Sequence, residues 1–322
     1  MAITCQLCPH ACRLSEGTLG RCRQRTVRAG RIVSLNYGLV SSIAIDPIEK
    51  KPLYHFYPGS EILSVGSLGC NLHCRYCQNY HIAQEQAETK QLQPAELVAL
   101  AQAAQRNTNN IGIAFTYNEP TVGFEFVLET ATLAKAKGLK TVLVTNGYLQ
   151  PEPWLELLAH MDALNIDVKA FTEEAYRELC GASLAPILRN VEVAQEHSHV
   201  ELTYLVVPDI NDDPQVFKRF AAWVAALSPD IPLHLTRYFP SYKLKTAPTP
   251  LTTLEQLAQL AREHLNFVYL GNVGLSEETF CPQCGKLLIQ RGMAPVVTKG
   301  LMRGKCTECG RSFPTIRVPA EG

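Results

Sequence analysis

The chain of 322 residues has the composition of an ordinary globular protein, with 46% hydrophobic residues, 19% charged residues and a formal net charge of zero. Its apolar runs are far shorter than the roughly 18 residues of a membrane span, and its first residues lack the basic start and apolar stretch of a signal peptide. We therefore expect a cytoplasmic protein with no membrane partner.

The balanced total charge hides an uneven distribution. Residues 1–31 carry six arginines and one acidic residue, and residues 281–322 carry seven lysines or arginines and two acidic residues. These basic ends would either dock an acidic partner or nucleic acid, or compensate the negative charge of nearby thiolate–metal sites. Neither end interleaves aromatic residues with the basic ones, which favours compensation and argues against nucleic acid.

Cysteine is the most informative residue type in this chain. Eleven of the twelve cysteines fall into three tight groups. Close spacing of this kind is typical of metal ligands, and disulfides are rare in the reducing compartment that we expect. The sequence therefore predicts three metal-binding sites.

The first group consists of Cys5, Cys8, Cys12 and Cys22. Its C-x2-C-x3-C-x9-C spacing offers four thiolates, which suffice for a closed zinc site or for an iron–sulfur cluster. Spacing alone does not choose between the two metals. We assign residues 1–60 to an N-terminal cysteine-rich metal-binding segment.

From residue 61 onward, short β-rich runs alternate with longer helical periods. The predicted strands are Ile62–Ser67, Ile111–Phe115, Thr141–Thr145, Ala163–Val168, Glu201–Val207 and Leu233–Tyr238, with Phe267–Leu270 as an optional seventh. The predicted helices are Ala95–Gln105, Thr121–Lys137, Glu173–Leu179, Pro214–Leu227 and Thr253–Leu265. This alternation predicts an α/β core of parallel strands over residues 61–278, as an open sheet or a barrel, with ligands at the carboxyl ends of the strands.

The second cysteine group, Cys70, Cys74 and Cys77, directly follows the first of these strands. Three thiolates on one short loop can hold three irons of a [4Fe–4S] cluster and leave the fourth iron open to a small molecule. The alternative is a structural zinc site, in which His73 or His81 would supply the fourth ligand.

This CxxxCxxC motif, with Tyr76 before its last cysteine and β/α units after it, resembles the radical S-adenosylmethionine (SAM) superfamily. The wider string CNLHCRYCQNY is similar to the activating enzymes of glycyl-radical enzymes, such as that of pyruvate formate-lyase. The resemblance implies a partial (β/α)6 TIM-type barrel in which SAM chelates the open iron and Tyr76 packs near the adenine. It also implies that the cluster cleaves SAM reductively to a 5′-deoxyadenosyl radical, which abstracts hydrogen from a substrate.

Two further positions follow from the resemblance at the ends of the next strands. Asn118 and Glu119 stand where activating enzymes carry Gly-Gly-Glu, so the Glu119 carboxylate would accept hydrogen bonds from the SAM ammonium. Thr145 and Asn146 are similar to part of an Asp-Thr-Asn-Gly motif, whose polar groups suit the ribose hydroxyls. A helix cap at Glu119 and a plain Asn-Gly turn at Asn146 are the structural alternatives.

A third position, Asp167 and Lys169, matches an Asp-x-Lys motif that lies close to SAM in the family. Because alternate residues of a strand share a face, we expect both side chains to point into the site, with a surface ion pair as the alternative. Activating enzymes also have a histidine near the sixth strand. Its register relative to His234 is open, and a core or capping histidine is the other interpretation.

The third cysteine group pairs two CxxC knuckles, Cys281 with Cys284 and Cys306 with Cys309, each followed by glycine. This spacing predicts a zinc ribbon, with a rubredoxin-like iron site as the chemical alternative. We assign residues 279–322 to a C-terminal zinc-ribbon-like module. The remaining Cys180 is interpreted as a small buried hydrophobe.

The three cysteine groups in this order, together with YNEP and HLTRYFPSY, resemble the radical SAM component of the AmmeMemoRadiSam system over essentially the whole chain. The resemblance implies an oxidoreductase of the activating-enzyme type that uses a [4Fe–4S] cluster, SAM and zinc on an undefined substrate. The expected partners are a flavodoxin- or ferredoxin-type electron donor and Memo-type and AMMECR-type proteins. The alternatives are an activase of a glycyl-radical enzyme and a non-catalytic metal- or nucleic-acid-binding protein.

Overall fold

The structure is a computed structural model that describes residues 2–274, 277–292 and 295–318. Its first part forms short antiparallel pairs in place of β/α units. The strands of this part are β1 (Ile3–Thr4), β2 (Arg13–Leu14), β3 (Arg25–Arg28), β4 (Arg31–Ser34), β5 (Leu39–Val40) and β6 (Ser42–Pro47), and a 3-10 turn follows at Ile48–Lys50. Strand β1 pairs with β2 and β3 pairs with β4, so the four N-terminal cysteines lie in and between two small antiparallel pairs.

Strands and helices then alternate through the core. The strands are β7 (Glu61–Gly66), β8 (Lys90–Gln91), β9 (Asn110–Phe115), β10 (Lys140–Thr145), β11 (Ala163–Asp167), β12 (His199–Val206), β13 (Leu233–Arg237) and β14 (Val268–Gly271). The helices are α1 (Tyr80–Ala83), α2 (Pro94–Asn107), α3 (Phe124–Ala136), α4 (Pro151–Leu158), α5 (Glu173–Cys180), α6 (Ala185–His197), α7 (Pro214–Leu227) and α8 (Leu251–Arg262), with a 3-10 turn at Pro120–Gly123 before α3.

One eight-stranded sheet organises the core, in the order β14-β13-β12-β11-β10-β9-β7-β6. Seven of these strands are parallel, which confirms the predicted α/β architecture and includes the optional seventh strand as β14. Strand β6 pairs antiparallel with β7 and was not predicted. In the described part of the chain the edge strands β6 and β14 do not pair with each other, so the barrel is partial.

Local sequence signals explain where several helices begin and end. Helix α2 begins at Pro94 with a capping box between Gln93 and Glu96. Helix α5 begins where the Thr172 hydroxyl accepts from the Ala175 amide at 3.2 Å, and it ends at Gly181, whose φ is +68°. These ends agree with the predictions to within a residue or two.

Helices α4 and α6 had no predicted bounds. Helix α4 has eight residues, and two turns hold too few apolar positions for a helical period to stand out. In α6 the fully buried position 190 is an asparagine, which interrupts the apolar face that would mark the helix.

The C-terminal part is a small β module with its own apolar core. Its strands are β15 (Thr279–Phe280), β16 (Leu287–Gln290), β17 (Val297–Thr298), β18 (Leu301–Met302) and β19 (Lys305–Cys306). Leu288, Ile289 and Phe313 pack here with Phe267 and Tyr269, which attaches the module to the β14 edge of the sheet. In the described residues no helix is both long and apolar enough to cross a membrane.

Candidate active site

A cavity of about 350 Å³ lies at the carboxyl ends of the parallel strands. It collects residues from eight chain segments. Seven of these lie at or after the ends of parallel strands, because the loops that follow parallel strands all meet at one end of the barrel. All ten residues that the sequence placed in the central site line it: Cys70, Cys74, Tyr76, Cys77, Asn118, Glu119, Thr145, Asn146, Asp167 and Lys169. The tertiary structure therefore brings the predicted cluster ligands and the predicted SAM-binding residues together.

The three thiols occupy the loop after β7. This loop is anchored to the end of α5, where the amide of His73 donates to the Cys180 carbonyl at 2.9 Å and the amide of Arg75 donates to the Leu179 carbonyl at 3.0 Å. Burial raises the pKa of Cys70 well above its ordinary value and that of Cys77 to about 11. Buried thiolates are stable when a metal takes their charge, so these positions suit metal ligands.

The histidines of the zinc alternative point elsewhere. The Nε2 of His73 donates to the Arg21 carbonyl at 3.2 Å, and His81 is exposed. Neither histidine lines the cavity. The cavity therefore presents three thiols without either of the fourth ligands that a structural zinc site would have used.

Glu119 ties two strand ends together. Its buried carboxylate accepts from the Thr121 hydroxyl at 2.7 Å, the Thr145 hydroxyl at 2.7 Å and the backbone amide of Asn146 at 2.8 Å. Burial raises the pKa of Glu119, although these hydrogen bonds oppose the shift. The carboxylate also accepts from the Thr121 backbone amide at 3.2 Å, so the cap that the sequence offered as the structural alternative is present at the 3-10 turn. Its contact with a SAM ammonium stays a prediction.

Two asparagine side chains position the cysteine loop. Asn118 accepts from the Ser67 amide and donates to the Gly69 carbonyl, both at 2.9 Å. The side-chain amide of Asn146 donates to the Asn71 side-chain oxygen at 2.9 Å and to the Cys70 sulfur at 3.7 Å. Both residues therefore act on the strand end and loop that carry Cys70, in addition to facing the cavity.

Asp167 and Lys169 form an ion pair at the mouth of β11, with 3.2 Å between Nζ and Oδ2. Burial disfavours the charged lysine, but Asp167 and the thiols of Cys74 and Cys180 outweigh it and raise the pKa of Lys169. The two side chains line the cavity, as alternation along the strand predicts. Tyr76 is buried beside them and meets Tyr238 edge to face, with ring centroids 6.4 Å apart.

Another group of cavity residues was missed by sequence reasoning. Lys50 and Lys51, from the turn after β6, line the cavity together with Tyr117. The buried Lys51 ammonium lies 2.9 Å from Asp46 and 4.8 Å from the centre of the Tyr117 ring. Although burial opposes it, hydrogen bonds from Lys51 and Tyr117 hold the pKa of Asp46 below its ordinary value. No motif marks Lys50 and Lys51, since only the pairing of β6 with β7 brings them here.

His234 does not reach the cavity. It lies on β13 two residues before Thr236, which does line the cavity, so its side chain belongs to a lower layer of the barrel interior. Its Nε2 contacts the buried Glu201 carboxylate at 2.6 Å, and His199 contacts the same carboxylate at 2.9 Å. Of the two interpretations of His234, the core histidine is the one observed.

The C-terminal cysteines form a compact four-sulfur site. The ligand atoms of Cys281, Cys284, Cys306 and Cys309 all lie within 4.8 Å of one another. The Cys281–Cys309 and Cys284–Cys306 sulfur distances are both 3.6 Å, close to the about 3.8 Å expected around a tetrahedral ion with metal–sulfur bonds of about 2.3 Å. This geometry agrees with the zinc-ribbon-like prediction, and the site suits zinc or iron.

The N-terminal cysteines also converge. Cys5, Cys8, Cys12 and Cys22 line one small cavity, together with Arg25 and Asn71. In the described part of the chain only the C-terminal cysteines form a group as tight as 4.8 Å. The N-terminal sulfurs are therefore more widely spaced than ligands of a single ion.

Comparison with known proteins identifies the class of this fold and site. Residues 64–221 match the family model of the Radical SAM superfamily. The matched region contains the three central cysteines and most of the parallel strands of the core. Residues 64–221 are therefore similar to the radical SAM superfamily and have its α/β fold.

Individual proteins with similar sequences include an uncharacterized archaeal protein and two activating enzymes. An uncharacterized protein of Methanocaldococcus jannaschii is 38% identical over 325 residues, covering 98% of this chain and 96% of that protein. The pyruvate formate-lyase-activating enzyme of Clostridium pasteurianum is 25% identical over 161 residues, covering 48% of this chain and 65% of that enzyme. Pyruvate formate-lyase 1-activating enzyme of Escherichia coli (strain K12) is 27% identical over 150 residues, covering 45% of this chain and 61% of that enzyme. The chain thus matches under two thirds of the length of these activating enzymes.

Solved structures share the fold. The structure of TYW1 with a lysine-pyruvate adduct bound has a TM-score of 0.50 and 17% identity, covering 70% of this chain and 85% of that chain. Streptococcus suis SuiB bound to S-adenosylmethionine has a TM-score of 0.50 and 13% identity, covering 63% of this chain and 48% of that chain. At these identities the likeness concerns the fold alone.

Proposed function

We propose that this protein is a radical SAM oxidoreductase whose Cys70, Cys74 and Cys77 hold a [4Fe–4S] cluster with one iron open to SAM. One observation carries the proposal: the three thiols and the residues expected to bind SAM line the same cavity. The residues that line the cavity suit both the [4Fe–4S] cluster and SAM by their chemistry. Three thiols at one side suit a cluster with an open position, and the carboxylate, amides and ion pair on the other sides suit the polar groups of SAM.

A cluster held by Cys70, Cys74 and Cys77 would supply one-electron reduction, and SAM bound beside it would supply a carbon-centred radical for hydrogen abstraction. The chain itself positions the reactants. Asn118 and Asn146 hold the cysteine loop, and Glu119 holds the ends of β9 and β10 in register. Asp167 and Lys169 present a fixed pair of opposite charges toward the bound nucleotide, and Tyr76 provides an aromatic surface for the adenine.

We further propose that the protein works in the cytoplasm with a flavodoxin- or ferredoxin-type donor, and that it belongs to the AmmeMemoRadiSam system with Memo-type and AMMECR-type partners. The C-terminal module would hold zinc. Similarity to activating enzymes also supports a second candidate, an activase of a glycyl-radical enzyme. The loss of both glycines before Glu119 weakens this candidate.

The first test is release of 5′-deoxyadenosine. Protein reconstituted anaerobically with iron and sulfide should release it from SAM when a reductant is present, as measured by liquid chromatography. A Cys77→Ala variant should release none, because the cluster loses one of its three ligands. A Cys284→Ala variant, which removes an exposed thiol of the C-terminal module outside the cavity, is the matched control and should still release it. Equal release by the Cys77→Ala variant and the wild type would show that these thiols do not hold the active cluster.

The second candidate has its own readout. An activase would generate a glycyl radical, visible by electron paramagnetic resonance, on a glycyl-radical protein from the same genome. Absence of that signal, with 5′-deoxyadenosine still released, would leave the first candidate.

A further inference from the structure

The four N-terminal cysteines are folded into a defined site. The amide of Cys5 donates to the Cys12 carbonyl at 2.9 Å, and the amide of Ala11 donates to the Cys8 carbonyl at 3.0 Å, so the chain folds back on itself. The amide of Arg21 donates to the Cys12 sulfur at 3.4 Å. Backbone N–H groups that donate to sulfur are a common feature of protein iron–sulfur sites.

The spacing of the sulfurs favours a cluster over a single ion. Around one tetrahedral zinc the sulfurs lie about 3.8 Å apart, and the C-terminal site shows this spacing. The N-terminal sulfurs surround a common cavity without forming such a compact group. In an iron–sulfur cluster the thiolates bind different irons, so a wider arrangement of this kind is expected.

This site is in direct contact with the loop that carries the central cysteines. Asn71 lines the N-terminal cavity, while its neighbour Cys70 lines the central one. The Asn71 carbonyl accepts from His10 at 2.8 Å, and its side chain accepts from Asn146 at 2.9 Å. A single peptide bond therefore separates residues of the two cavities.

Backbone packing brings the two sites still closer. Gly69 has a φ of +89°, and a Cβ at this position would lie 2.8 Å from the carbonyl oxygen of Cys22. The residue before Cys70 therefore packs directly on the last N-terminal cysteine. On the other side of the loop, His73 donates to the Arg21 carbonyl.

Cys8 and Cys12 are half-buried, whereas Cys5 and Cys22 are buried and the Cys22 carbonyl packs on Gly69 of the central loop. A redox group held here would meet solvent on the side of Cys8 and Cys12 and the central loop on the side of Cys22. Arg13, Arg28 and Arg31 are exposed in the same N-terminal segment.

From these contacts we propose that Cys5, Cys8, Cys12 and Cys22 hold an accessory iron–sulfur cluster that passes electrons to the cluster on Cys70, Cys74 and Cys77. The relay rests on the proposed radical SAM function. An external one-electron donor of the flavodoxin or ferredoxin class is oxidised and the N-terminal cluster is reduced. That cluster then returns to its oxidised state as the central cluster gains the same electron, and no atoms are transferred.

The metal content tests the first half of the proposal. A Cys8→Ala/Cys12→Ala variant, purified anaerobically, should lose about four irons per chain and no zinc relative to wild type. A variant with Cys70, Cys74 and Cys77 all replaced by alanine should keep an iron–sulfur signal in electron paramagnetic resonance. This second variant reports on the N-terminal site even if the proposed function is wrong. Loss of zinc with unchanged iron in the Cys8→Ala/Cys12→Ala variant would overturn the inference and leave the proposed function standing.

The electron route tests the second half. Cleavage of SAM is measured per central cluster, once with dithionite and once with reduced flavodoxin. For the Cys8→Ala/Cys12→Ala variant we expect an unchanged rate with dithionite and a rate with flavodoxin that is lower by roughly tenfold or more. Thr18→Ala, in the same loop but without loss of a thiol, should keep both rates. Equal flavodoxin rates in variant and wild type, or loss of the dithionite rate as well, would contradict a relay.

Discussion

The side-chain amide of Asn146 donates a hydrogen bond to the sulfur of Cys70, one of the three proposed cluster ligands. Through this contact Asn146 would influence the reduction potential of the proposed cluster. Hydrogen bonds to cluster sulfurs stabilise the reduced, more negative state and so raise the reduction potential. Asn146 is buried and also holds Asn71, so the same amide acts on the thiol and on the backbone beside it. The side chain expected to contact ribose would thus also tune a cluster held by Cys70.

Replacing Asn146 by leucine should lower the potential of the central cluster by some tens of millivolts, because a net hydrogen bond of about 0.5–1.5 kcal/mol to the reduced form is lost. The measurement is a redox titration of the anaerobic protein followed by electron paramagnetic resonance. Asn190→Leu is the matched control, since its buried amide donates to the Gly147 and Leu149 carbonyls and touches no thiol. An unchanged potential in Asn146→Leu would show that the 3.7 Å contact does not tune the cluster.

At the scale of single elements, β12 and β13 hold a buried polar network below the cavity. Glu201 on β12 accepts from His199 and His234, and also from the backbone amides of Tyr54 and His55 at 2.9 and 2.7 Å. The network holds the chain before β7 against the barrel interior. A fully buried carboxylate persists only when donors surround it, as they do here.

His234→Ala should therefore destabilise the protein by about 1–3 kcal/mol, because the buried Glu201 carboxylate loses one of its four hydrogen-bond donors. Lys218→Ala is the control: it breaks an exposed 2.9 Å ion pair with Glu263, and such pairs contribute about 0–1 kcal/mol. Both values come from denaturant unfolding under anaerobic conditions. The rate of SAM cleavage per folded, cluster-containing His234→Ala protein should be unchanged, whereas a lost rate would indicate a catalytic histidine.

The C-terminal module has a four-cysteine site of its own. Cys284 is exposed, so Cys284→Ser removes a ligand with little packing cost. We expect this variant to contain about one metal ion fewer per chain, because a structural tetrahedral site requires all four ligands. Elemental analysis measures the loss and identifies the metal, and Gln283→Ala in the same knuckle should bind as the wild type does. Full metal content in Cys284→Ser would rule out the four-cysteine site.

At the scale of the whole molecule, the N-terminal segment, the barrel and the C-terminal module each hold cysteines, but they relate to the cavity differently. The N-terminal segment contacts the Cys70 loop and contributes β6 to the central sheet. The C-terminal module packs against the β14 region and against residues 54–59, where the Arg317 amide donates to the His55 carbonyl at 2.7 Å. The two basic ends of the chain therefore lie in different surroundings, and only the first adjoins the proposed route for electrons.

This arrangement predicts that an acidic electron donor docks at the N-terminal end. Arg28→Ala/Arg31→Ala should slow SAM cleavage driven by flavodoxin, by about tenfold at low salt and less at high salt, because screening removes the attraction. The rate with dithionite serves as reference. Lys299→Ala/Lys305→Ala, which removes the same charge from the C-terminal end, should leave the flavodoxin rate unchanged. Equal effects of the two double variants would show that docking does not depend on which end is basic.

Local features of the chain were enough to predict much of this protein. The positions of the parallel strands follow from short β-rich runs between helical periods, and cysteine spacing predicted three groups whose members the structure brings together. Polar residues at strand ends were also predictable as neighbours, because parallel strands bring their carboxyl ends to one place. These inferences needed only neighbouring residues and one topological rule.

Other features depend on contacts between distant parts of the chain, and only the tertiary structure decided them. The pairing of the antiparallel β6 with β7 places Lys51 in the wall of the cavity, and His234 contacts the buried Glu201 below the cavity. Cys22 lies against Gly69, which makes neighbours of two cysteine groups that are far apart in sequence. Packing and strand pairing join residues by shape and burial, and neither leaves a periodic or spaced pattern in the amino-acid sequence.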